Sequence, residues 1–127
     1  MTGVPAVTDG EPGDPTWYPL QHALGIDTFG VNLFVATRAG QPLVEEHDES
    51  ASGQQELYIV ITGQANFELD GEHVRVGSGE AVAVTDPAVR RSAQAVTAKT
   101  QVLVIGARDT GFASTWNPSH FAGIPRR

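Results

Sequence analysis

His47 sits inside the run Glu45-Glu46-His47-Asp48-Glu49, one imidazole among four carboxylates. An imidazole can serve as a general base or as a metal ligand, and His47 is the best candidate in the chain for either task. The competing reading of the run is a charged surface loop. The chain has no cysteine, which excludes disulfides, thiolate zinc sites and cysteine nucleophiles. Any metal would have to be held by histidine and carboxylates. Further on, Glu56 and Tyr58 occupy even positions of an alternating run, so both point the same way. Tyr58 either orients a ligand through its hydroxyl or caps the core.

These groups need a scaffold, and the run Glu56 to Thr62 supplies its centre. Its odd positions, Leu57, Ile59 and Ile61, form an apolar stripe. Its even positions, Glu56, Tyr58, Val60 and Thr62, are amphiphilic, as in a strand lining a partly wet cavity. Strand pleating sends the two sets to opposite faces. The stripe must be covered, by a second sheet or by a partner subunit. Gly63 ends the run. Gln64 to Leu69 and Glu72 to Val76 flank Asp70-Gly71, a strong hairpin signal.

Other strands are expected at Gly30 to Arg38, Leu43 to Glu46, Glu80 to Thr85, Arg90 to Val96 and Thr100 to Ala107. Ser50 to Gln55 reads as a loop. About eight short strands separated by Gly and Pro turns predict an all-β sandwich or barrel. Residues 1–15, rich in Gly and Pro, read as a flexible N-terminal leader. Residues 16–127 read as a single domain.

The 127 residues carry a formal net charge of -7. An acidic surface repels phosphate backbones and anionic membranes, so no nucleic acid and no membrane is expected as partner. No apolar run reaches the ~20 residues that span a bilayer. The N-terminus has no basic start followed by an apolar stretch, so a cytoplasmic location is the expectation. Trp17, Tyr18 and Trp116 read as interface residues, since aromatics are enriched at interfaces.

From Glu56 to Gly79 the chain resembles the cupin superfamily, in particular its small single-domain members. The family's first motif is G-x5-H-x-H-x3-4-E-x6-G, and Glu56-x6-Gly63 matches its end. The second is G-x5-P-x-G-x2-H-x3-N, and Gly79 matches its start. Fifteen residues, Gln64 to Ser78, separate the two glycines. The resemblance covers about residues 30 to 107 and implies a double-stranded β-helix, the jelly-roll-like cupin barrel.

In most cupins three histidines and a glutamate of these motifs bind a divalent metal. Counting back from Glu56 without a gap puts Glu49 and Ala51 at the first two histidine positions; a two-residue insertion puts His47 and Glu49 there. In the second motif Thr85 and Pro87 stand for the proline and glycine, Arg90 for the histidine and Gln94 for the asparagine. The resemblance thus implies His47, Glu49 and Glu56 as candidate metal ligands, in a site short of two imidazoles. Arg90 at the fourth corner cannot ligate a metal, because a guanidinium stays protonated. It can replace the metal's charge, pair with a carboxylate, or hold an anionic ligand.

Three readings follow. The first is a metal-free module binding a small polar or anionic molecule through Tyr58, Arg90 and Glu49. The second is an enzyme, either a metal-dependent oxygenase or isomerase using His47, Glu49 and Glu56, or an acid–base catalyst using His47 with Glu56. The third is a non-catalytic structural or accessory protein. The resemblance also implies a homodimer.

Overall fold

The computed structural model describes residues 3–126; Met1 and Thr2 of the leader and Arg127 of the C-terminal end lie outside the described residues. The alternating runs form strands that pair antiparallel throughout. They are β1 (Thr16–Tyr18), β2 (Gly30–Val35), β3 (Pro42–His47), β4 (Gln54–Thr62) and β5 (Gln64–Leu69), then β6 (Glu72–Gly77), β7 (Ala81–Val84), β8 (Arg91–Ala95) and β9 (Gln101–Arg108). A short helix, α1 (Leu20–Leu24), ends at Gly25, and a 3-10 turn spans Pro118–Phe121. One sheet has the order β1-β2-β9-β4-β7 and the other β3-β8-β5-β6. Two facing antiparallel sheets whose strands alternate between them make the double-stranded β-helix. No helix among the described residues is long and apolar enough to cross a membrane.

The core lies between the sheets. Tyr58, Val60 and Val102 of the larger sheet meet Phe67, Leu43 and Ala93 of the smaller one. Tyr58 and Phe67 pack edge to face, with ring centroids 5.4 Å apart. Burying each such side chain stabilises the fold by about 1.5–3 kcal/mol. It is therefore the even set of β4 that meets the second sheet. The odd set faces outward: Leu57 and Ile59 are half-buried and Ile61 is 49% exposed. The second sheet does not cover that stripe. A pleat separates two faces but does not say which turns inward. On the outer side of β2, Leu20 of α1 packs on Val31 and Leu33.

Two turns hold the hairpins. Asp70 and Gly71 both have positive φ (48° and 86°), the backbone that a two-residue hairpin of this twist requires. Gly63 has φ 84° and lies against Thr100, whose buried hydroxyl accepts from the Gln64 amide (3.2 Å) and donates to the Thr97 carbonyl (2.7 Å). This contact ties the end of β4 to the turn before β9.

β3 departs from regular pairing. Its register against β8 shifts between Pro42 and Val44 and again between Val44 and His47. Leu43 and Val44 are consecutively buried, and Glu45 and Glu46 consecutively exposed. Such bulges re-aim side chains, and here they bring His47 opposite Arg91.

Residues 3–15, the greater part of the leader, run along the barrel mouth. The Val7 amide donates to the Trp17 carbonyl (2.9 Å). The buried Gln41 side chain donates to the Gly13 and Asp14 carbonyls (3.1 and 2.8 Å).

Candidate functional site

The end of β3 and the start of β4 converge on one side of the mouth. His47 Nδ1 lies 2.8 Å from the Glu45 carbonyl oxygen. A carbonyl only accepts, so Nδ1 carries the proton of that contact. Nε2 then faces two carboxylates, Glu49 Oε1 at 3.2 Å and Glu56 Oε1 at 3.5 Å. A proton on Nε2, or a cation between the three groups, satisfies this arrangement.

Glu56 is the hub. Its Oε1 accepts from the Tyr58 hydroxyl at 2.7 Å and lies 3.6 Å from Arg91 Nε. Burial, and then the neighbouring Glu56 carboxylate, push the Tyr58 hydroxyl far above the usual tyrosine range. Tyr58 therefore stays a proton donor to Glu56 at any ordinary pH. Glu49 is anchored by the Ser52 hydroxyl and by its own amide, which donates to the Pro87 carbonyl at 2.8 Å. Beside it, the Ser50 amide holds the Asp48 carboxyl below its ordinary range.

Arg91 is fully buried, its Nη1 donating to the Pro87 carbonyl at 3.5 Å, while Nε and Nη2 have no hydrogen-bond partner among the described residues. Sequence reasoning missed it and singled out Arg90, which the structure places outside the barrel. Arg90 is half-exposed and reaches Glu46 (3.2 Å) and Asp48 (3.6 Å). Arg91, Ala93 and Ala95 alternate as the buried face of β8, with Ser92 and Gln94 more exposed. That alternation was the signal available in the sequence. The structure thus brings together His47, Glu49, Glu56 and Tyr58, and puts Arg91 in the place expected of Arg90.

A cavity of about 520 Å³ opens here, within the range of small-molecule sites. His47, Glu56 and Tyr58 line it together with Trp17, Asn32 and Phe34. Trp17, read from sequence as an interface residue, is therefore part of this wall.

The donor set bears on a metal. His47, Glu49 and Glu56 offer ligand atoms that all lie within 4.8 Å of one another, so the group could hold an ion by composition. Oε1 of Glu56 is already engaged by Tyr58 and by the fixed positive charge of Arg91. A guanidinium cannot give up its proton to relieve the repulsion. One imidazole and two carboxylates beside a buried cation do not fit a tightly held divalent ion.

The sequence matches no protein-family model and no curated protein. Solved structures do match. A cupin protein from Bacteroides fragilis is 16% identical, covers 100% of each chain and superposes with a TM-score of 0.67. A putative sugar phosphate isomerase from Acidithiobacillus ferrooxidans is 20% identical over 85% of this chain and 69% of its own, TM-score 0.66. Pac13, described as a nucleoside dehydratase, is 16% identical over 82% of this chain and 75% of its own, TM-score 0.60. A Streptomyces form of Pac13 with histidine replaced by glutamine was solved with uridine. At these identities the likeness is one of fold: the chain is a small barrel of the cupin fold.

Proposed function

We propose that the barrel mouth binds a small polar molecule and moves a proton on it without a tightly held metal, with His47 as the group that carries the proton. The observation behind this reading is His47 Nε2 set against Glu49 and Glu56 at the wall of the cavity. In this role Nε2 takes a proton from a ligand C–H or O–H, or returns one to a departing hydroxyl. The Glu45 carbonyl and the two carboxylates fix the ring, and Arg91 supplies the cation that lets both carboxylates sit close together. Two proteins sharing the fold are described as a putative sugar phosphate isomerase and a nucleoside dehydratase, and both reactions move protons.

The test is proton NMR in D2O with a panel of monosaccharides, nucleosides and hydroxy acids. Deuterium incorporation or elimination is expected with at least one of them. His47→Gln should slow it ~100-fold or more, the usual worth of a positioned acid–base group. Added chelator should leave the rate unchanged. Loss of activity with chelator would instead favour the metal-dependent enzyme using His47, Glu49 and Glu56. A panel that neither binds nor reacts would favour the non-catalytic barrel.

We also propose a homodimer formed through the outer face of β4. Leu57 and Ile59 are only half-buried there and Ile61 is 49% exposed. Light scattering should return twice the 13.5 kDa chain mass, and Ile61→Asp should shift the protein toward monomer. A wild-type monomer at tens of micromolar overturns this proposal.

A further inference from the structure

We infer that the ligand of this cavity is an uncharged, hydroxylated molecule carrying a flat ring, of which a nucleoside is the simplest example, and that the ring seats on Trp17. The inference rests on the small-molecule reading of the site and specifies what that site selects.

Trp17 lies on the edge strand β1. Its neighbour Tyr18 packs into the outer apolar cluster, so strand alternation turns Trp17 to the inner side. Its indole is held from two directions. Nε1 donates to Asn32 Oδ1 at 2.9 Å. Phe34 stacks beside it, with ring centroids 6.3 Å apart and planes 21° from parallel. Trp17 is nevertheless 40% exposed, and Trp17, Phe34 and Asn32 all line the cavity that His47 and Glu56 line. A large aromatic surface kept partly open and fixed in orientation is a stacking platform. Plain core packing would have buried it.

Charge decides what else the ligand carries. Among the described residues no lysine or arginine lines the cavity, whereas Asp14, Glu45, Glu46 and Glu56 do. A phosphate ester would bring further negative charge beside Asp14 and Glu45, and like charges repel. Glu46 is paired with Arg90, and Glu56 with Arg91 and Tyr58, so these two need no cationic ligand, while Asp14 and Glu45 are exposed to solvent. What remains are hydrogen-bonding groups suited to hydroxyls: the Asn32 amide, the His47 ring and the free carboxylate oxygens.

Calorimetric titration tests this with uridine, adenosine, phenyl glucoside, the two 5′-monophosphates and tryptamine. At least one uncharged ring-bearing compound should bind saturably. Its monophosphate should bind at least tenfold more weakly. Trp17→Ala should weaken binding at least tenfold, and Trp17→Phe should restore most of it, at unchanged thermal stability. The inference is overturned if no uncharged ring-bearing compound binds, if phosphates or tryptamine bind best, or if Trp17→Ala leaves affinity intact. Binding of this kind without any proton exchange would uphold the platform and sink the catalytic reading. Exchange on a ring-free sugar, untouched by Trp17→Ala, would do the reverse.

Discussion

Arg91→Met should lower the stability of the barrel by about 3–5 kcal/mol, the usual cost of breaking a buried ion pair from one side. Arg91 is 0% exposed and its partner Glu56 has a side chain only 10% exposed. Glu49 also sits beside His47 in the same cluster. Without the guanidinium, the Glu56 carboxylate keeps its Tyr58 hydrogen bond but loses its buried counter-charge. Domains of this size are stable by roughly 5–15 kcal/mol in total, so the loss is a large share. Urea unfolding measures it directly.

The neighbouring residue provides the control. Arg90→Met removes pairs made by a half-exposed side chain with the exposed Glu46 and the partly exposed Asp48, and should change stability by no more than about 0.5 kcal/mol. Equal effects at Arg90 and Arg91 would refute the placement of Arg91 as the internal cation. A second variant separates charge from packing. Combining Arg91→Met with Glu56→Gln removes the charge as well as its partner, and should cost less than the two single changes added together.

Gly63→Ala should cost about 2–5 kcal/mol. The residue has φ 84°, a conformation that costs an L-residue about 1–2 kcal/mol. A Cβ there would also lie 2.7 Å from Thr100 Cα and 2.9 Å from Thr100 Cβ. Backbone atoms cannot rotate away, so the clash adds an overpacking cost of about 1–3 kcal/mol. Gly79→Ala isolates the first contribution, because Gly79 has φ 81° but open space around its position. It should lose only about 1 kcal/mol. If the two alanine variants melt together, the close approach of Gly63 to Thr100 is not what makes Gly63 necessary. Gly63 closes the first matched motif and Gly79 opens the second, so the contrast also tests what each motif glycine is for: one serves a close approach, the other only a turn.

Much of the barrel was legible because its signals are local. Asp70-Gly71 declares a hairpin through the backbone it permits, and β5 and β6 pair around it with Leu69 opposite Glu72. The alternation in Glu56 to Thr62 separates two faces, and β4 has them. The expected loop at Ser50 to Gln55 was two residues too long, since β4 begins at Gln54. The cluster of His47, Glu49 and Glu56 was nameable from spacing against a known motif. Its distances were not.

What the sequence by itself determined are the features set by side-chain period and backbone freedom. These are the strands, the turns at Gly63 and Asp70-Gly71, and the absence of thiol chemistry. Only the tertiary structure decided which face of β4 meets the second sheet and that Trp17 lines the cavity, and it settled which arginine lies inside, at which the alternation of β8 only hinted. Each is a question of register between segments distant in the chain. A period of two flips every side chain with a one-residue slip, and the two register shifts between β3 and β8 hide the slip from anyone counting along the sequence. Trp17 faces the cavity because β1 pairs with β2 at the sheet edge, Trp17 against Phe34, a long-range pairing that no local pattern announces.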